Sequence, residues 1–260
     1  NIKRNLKRYA VAGIVPEILD LKYLFIETNS KVYYNTNLAP SASFVSTKVQ
    51  RDLTAYAESS ELNKYGARFK YSGFLKVIDS SHESVTSNIT TVEMRRDLRL
   101  AISEVAEYAI DFGNEFHVQS MNGFNIRSSA FRVLNINTDV YLYDVPDSTA
   151  EKGQISLFSL NEGSSTPVIQ RRNIGVIDYK KGRITLDPIN IVSGKSKDNV
   201  DILEISATPE SNDIIGLQDL YLQLDSSFVD MVVDEISSGA DPSGSTYTVT
   251  TSYKNGNIIR

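Results

Sequence analysis

The feature that most constrains this chain is the punctuation of its second half. Beyond Phe131 the apolar runs are short, rich in β-branched and aromatic residues, and separated by Gly, Pro, Asn, Asp or Ser. They fall at Asp139–Asp144, Gln154–Leu160, Gly175–Tyr179, Arg183–Leu186, Asp201–Ala207, Leu220–Leu224 and Thr246–Tyr253. Runs of this length and composition predict strands joined by turns, in a sandwich or an open meander. No repeat with a period of some 20 to 50 residues is present, which argues against a solenoid.

The first half is mixed. Leu21–Thr28 and Lys31–Asn35 are β-like, and Asn29-Ser30 between them predicts a hairpin. From Ala42 to Ser59 the period changes: Phe44 or Val45, Val49, Leu53, Tyr56 and Ala57 follow helical spacing. Pro40 lies just outside, and Ser41 or Ser43 can cap the first turn. Phe69 to Ile78 suggests a second short helix or an irregular crossing before a turn at Asp79-Ser-Ser81. Val85–Arg96 predicts a polar strand with one buried face, paired with the opening hairpin. Asp97–Ala109 fits both periods, and strand–loop–strand is favoured.

The predicted fold class is therefore α+β and β-rich: an N-terminal βα unit with one long helix, then a mainly antiparallel β domain. The predicted division is a boundary segment over 1–20, an α+β domain over 21–125, and a β-rich domain over 126–260. Gly239–Ser245 is the most linker-like stretch, leaving a C-terminal strand arm that could pair locally or with another chain. Lys3, Arg4, Lys7 and Arg8 precede a short apolar run, Tyr9–Gly13, but Pro16 and Glu17 follow directly. That pattern is too short for a signal core, so the start is read as a boundary within something longer.

Composition sets the limits on function. At 260 residues and 41% hydrophobic, the chain can build a substantial core. It has no Cys, hence no disulfide and no thiolate ligand. A net charge of −5 argues against a nucleic-acid binder that relies on a basic face. No stretch approaches the roughly 20 apolar residues that span a bilayer. From Asp198 to Asp241 acids including Asp201, Asp219, Asp230, Asp234 and Glu235 occur with no Lys or Arg. This predicts a solvated acidic face or a docking surface for a basic partner.

Catalytic signals are thin. His82 and His117 are the only histidines, and neither accompanies a nucleophile elbow or an H-E-x-x-H pattern. His82 reads as part of a solvated turn and His117 as a strand surface residue. Gly194-Lys195-Ser196 resembles the end of a phosphate loop, but Ile189 stands where the earlier glycine is required. Asn88-Ile-Thr90 is a glycosylation sequon that reads most simply as a polar strand face. Tyr33-Tyr34 and Tyr141/Tyr143 read as sheet faces or as an aromatic protein interface. A hydrolase built on two converging acids is a third class, which nothing in the sequence requires. No catalytic, cofactor-binding or metal-ligating residue is assigned, and no cofactor or small-molecule substrate is expected.

Three stretches carry a resemblance. Ile18–Arg96 includes Glu61-Leu-Asn-Lys-Tyr-Gly66, Phe69-Lys-Tyr-Ser72 and Val77-Ile-Asp79; Gly175–Leu186 forms a strand–turn–strand with Gly182 at the bend; Ala207-Thr-Pro209, Asp213-Ile214 and Leu220–Asp225 follow. In this order they resemble the baseplate wedge proteins of T-even-like contractile-tailed bacteriophages, related to the baseplate-J-like family, in their C-terminal part. The resemblance implies a non-enzymatic structural subunit of the virion's tail baseplate, assembled in the host cytoplasm. It also implies a homodimer that joins other wedge subunits and links wedges into a ring around the hub, rearranging on tail contraction. The alternative is a host-surface or carbohydrate-binding module of a viral tail, which an aromatic-lined cleft would favour.

Overall fold

The predicted opening hairpin is a single strand. In the computed structural model β1 runs unbroken over Lys22–Tyr34, and the expected turn at Asn29-Ser30 does not form. Ser30 is buried, and its hydroxyl lies 2.8 Å from that of Thr90. A residue type that favours turns is tolerated in a strand when its polar group finds a cross-strand partner. The structure describes residues 22–62, 64–118, 120–161, 166–217 and 220–239, and two short strands beyond them.

After β1 come α1 (Ala42–Ala57), β2 (Arg68–Phe69), α2 (Tyr71–Ser80), β3 (Val85–Arg99), β4 (Val105–Asp111), β5 (Arg127–Ser128) and β6 (Arg132–Val133). Then follow β7 (Tyr141–Pro146), β8 (Lys152–Leu160), β9 (Pro167–Asp178), β10 (Arg183–Ser193), β11 (Lys195–Lys197) and β12 (Val200–Ala207). The last are β13 (Ile214–Ile215), β14 (Leu220–Val233), β15 (Tyr253–Lys254) and β16 (Asn257–Ile258). A β-rich α+β protein with mainly antiparallel sheets is thus observed. The strand–loop–strand reading of Asp97–Ala109 holds, since β3 ends at Arg99 and β4 begins at Val105. The strand expected at Thr246–Tyr253, and all of the linker but Gly239, lie outside the described residues apart from Tyr253.

The chain divides into two compact units, one of 1–26, 60–69 and 93–225, the other of 27–59, 70–92 and 226–260. The second unit holds both helices. Helix α1 begins where expected: Ser41 is extended, and its hydroxyl accepts the Phe44 N–H at 3.2 Å. It buries Val45, Val49 and Leu53, one residue per turn along a single stripe. Between the two readings of Phe69–Ile78 the helix is correct. Helix α2 buries Phe74 and Ile78, and the Phe74 ring meets the edge of Tyr56 from α1 at 6.1 Å. The expected turn at Asp79 is instead its last turn, where the Ser80 hydroxyl donates back to the Lys76 carbonyl.

Leu53 is 1% exposed on the buried stripe. Leu53→Ala should therefore destabilise this unit by roughly 2–5 kcal/mol, from lost transfer energy plus a residual cavity. An unchanged denaturation midpoint would show that Leu53 does not pack as described.

The first unit is almost wholly β. Of the two six-stranded sheets in the chain, one has the order β11-β12-β3-β1-β14, with β5 on β12, and the other has the order β4-β10-β9-β8-β7, with β6 on β10. The pairs β12–β3, β10–β4, β10–β9, β8–β9 and β7–β8 are all antiparallel. Alternate residues such as Leu203, Ile205 and Ala207 on β12, or Ile184 and Leu186 on β10, are buried, as the period of two requires. The β9–β10 turn closes at Gly182, whose φ of +61° is the left-handed bend expected of it.

Candidate interaction surfaces

The first unit carries a charged cavity that no local motif announces. It measures about 580 Å³ and is lined by Lys22, Tyr23 and Phe25 from β1, Arg96 and Asp97 from β3, Lys197 from β11, and Gln223 and Asp225 from β14. The strand order brings these positions together, although they are separated by up to two hundred residues. Beside it, Arg95 donates through Nε to Asp97 Oδ1 at 3.0 Å and through a terminal nitrogen to Asp225 Oδ2 at 2.6 Å. Lys197 Nζ donates to Asp97 Oδ2 at 2.8 Å. Both cations also lie over the Phe25 ring, at 4.5 Å for Arg95 and 5.1 Å for Lys197.

This is an ion-pair lattice built on an aromatic ring. Both Asp97 oxygens accept from cations, one from Arg95 and one from Lys197. The hydrogen bond from Lys197 to Asp97 holds the ammonium pKa above its usual value. A second lattice joins the ends of β4 and β10. Arg183 spans Asp111 with both Nε and a terminal nitrogen, which pulls the Asp111 carboxyl below its usual range despite partial burial.

A second surface lies on the sheet that contains β7, β8 and β9. The register sets Tyr141 opposite Phe158 and Phe158 opposite Ile169, so that the three share one face. The Tyr141 and Phe158 rings are 5.4 Å apart. Phe124 stacks on Tyr143 at 4.9 Å with an interplanar angle of 17°. The tyrosine pair is thus divided: Tyr143 is buried and Tyr141 half-buried.

The remaining sequence candidates are scattered. His82 is half-buried and its Nδ1 lies 2.8 Å from the Ser84 hydroxyl, within a local turn as expected. His117 is exposed but lies outside any strand, with Nδ1 2.7 Å from Glu210 Oε2. Lys195 is committed to Glu204 at 2.7 Å. Asn88 Nδ2 donates to Asp79 at 2.7 Å and serves the polar strand face expected of it. The acidic stretch is partly neutralised, since Glu204, Glu210 and Asp225 each meet a positive or titratable partner from elsewhere in the unit. Asp219 lies outside the described residues. Among the described residues no helix is long and apolar enough to cross a membrane, and no cluster of three or more acidic, His or Cys side chains could hold a metal ion.

The described geometry is thus one of an ion-pair lattice and an aromatic strand face. Comparison with known proteins gives a family likeness. Residues 22–97 match the family described as baseplate structural protein gp6, C-terminal domain III. Over 151 residues the chain is 30% identical to the baseplate wedge protein gp6 of Enterobacteria phage T4. That alignment covers 56% of this chain and 22% of the relative. The resemblance to the C-terminal part of a baseplate wedge protein is borne out.

Proposed function

We propose that this chain is the C-terminal part of a structural subunit in the tail baseplate of a contractile-tailed phage virion. The observation that carries the reading is the match of 22–97 to a gp6 C-terminal domain, extended by the 30% identity to the wedge protein of phage T4. The subunit self-associates as a homodimer, binds other wedge subunits, links wedges into a ring around the hub and rearranges on contraction. It carries no enzymatic activity. Two observations support such a role: an aromatic face on β7–β9, and acidic and basic side chains segregated along the chain. The βα unit of the baseplate-J-like family belongs to this proposal, as does the division into 21–125 and 126–260. The family match falls wholly inside the first of these segments.

The carbohydrate-binding alternative is less well supported, because the cavity walls are mostly charged rather than aromatic. Sedimentation equilibrium over a wide concentration range tests self-association. A reversible dimer is expected, and a strict monomer at high concentration would remove that part of the proposal.

A further inference from the structure

The β8–β9 hairpin includes a stretch of strand that the described chain leaves open. β9 pairs with β10 only through Gly175–Asp178. From Pro167 to Asn173 its described partner is β8 alone, and all seven residues are exposed. One edge is therefore unpaired among the described residues, presenting a row of N–H and C=O groups that can template a strand from another chain. Val168 and Ile169 are apolar, the latter 43% exposed. Arg171 and Arg172 are basic and have no acceptor among the described residues, whereas Arg127, Arg132 and Arg183 each hold a carboxylate.

A second open edge carries the complementary side chains. β14 ends its sheet order, and over 226–233 no described strand lies on its outer side. Phe228 is 64% exposed, and Val233, Asp230 and Glu235 are exposed as well. No Lys or Arg occurs between Asp198 and Asp241.

We propose that the arm Pro167–Asn173 of one copy adds as an antiparallel strand to the 226–233 edge of a second copy. Setting Val168 opposite Val233 places Ile169 opposite Val232, Gln170 opposite Met231 and Arg171 opposite Asp230. Val168 with Val233 and Ile169 with Val232 are then apolar pairs, and the free guanidinium of Arg171 faces the exposed Asp230 carboxylate, combinations that stabilise cross-strand pairs. Pairing two arms with each other would instead bring the arginines of both copies together, which like-charge repulsion disfavours. The contact joins different patches on the two copies. It rests on the self-association proposed above and names one surface that produces it.

The test is sedimentation equilibrium of the chain, of Arg171→Glu, of Asp230→Lys, and of an equimolar mixture of the two variants. Both side chains are exposed, so circular dichroism should show both variants folded. The expected result is association of the unaltered chain, weakened about tenfold or more in each variant and regained in the mixture. Association that neither variant weakens would overturn this contact and leave self-association standing. A monomeric unaltered chain would overturn both. Weakening by the arm variant without recovery in the mixture would overturn β14 as the receiving edge.

Discussion

Asp144→Ala should be among the most damaging single substitutions in the first unit, costing about 3–5 kcal/mol. Asp144 is 1% exposed; its Oδ1 accepts the Ile126 N–H at 2.7 Å, and its Oδ2 accepts the Tyr179 hydroxyl at 2.6 Å. Truncation leaves two buried donors without an acceptor and a void where the carboxylate stood. Each unsatisfied donor costs on the order of 1–3 kcal/mol, and the void adds to that. Urea unfolding measures the loss. A variant within about 1 kcal/mol of the parent would mean that water reaches both donors.

The same pair gives the fold an alkaline limit. Burial first, then the hydrogen bond and negative charge of Asp144, push the Tyr179 phenol far above its ordinary value near 10. The folded pKa is raised, so this stabilisation is complete below pH 10 and lost progressively as pH rises above it. Above pH 10 the parent should lose about 1.4 kcal/mol more per pH unit than Tyr179→Phe, which starts less stable but has no proton there to lose. Parallel slopes for the two proteins would show that Tyr179 is not held neutral by the fold.

What sequence reading recovered follows from the range of the interactions involved. Helix α1 was legible from Ser41 to Leu53 because cap and stripe are both local. The β10 and β12 strands were legible because burial of one face writes a period of two into the sequence. The break of β1 at Asn29-Ser30 was predicted and is absent, because the deciding contact, Ser30 with Thr90, spans sixty residues. The charged cavity was illegible for the same reason: Lys22, Asp97, Lys197 and Asp225 become neighbours only through the strand order. Nor did composition mark Asp144, whose importance lies in burial beside Tyr179 and not in its residue type. The resemblance to a wedge protein pointed to a role where residue chemistry did not, since a binding surface has no fixed spacing to recognise.

The bend at Gly182 gives the second large expected effect, and here geometry separates two causes that usually travel together. An added Cβ would lie 2.0 Å from the Asn114 carbonyl oxygen and 2.9 Å from its carbon. Both are backbone atoms, and the segment that carries them is tied to the turn on either side. The Phe112 N–H donates to the Gly182 carbonyl at 2.8 Å, and the Phe116 N–H to the Tyr179 carbonyl at 2.8 Å. Neither side can retreat without breaking a hydrogen bond. Gly66 has a nearly identical φ of +63° but nothing within 4 Å of an added Cβ. Gly66→Ala should thus report the left-handed conformation alone, about 1–2 kcal/mol. Gly182→Ala should carry that cost plus the steric one, about 3–5 kcal/mol in all, or fail to fold. Equal losses in the two variants would mean that the 112–116 segment yields, and that the contact between this turn and the chain before it is looser than its paired hydrogen bonds imply.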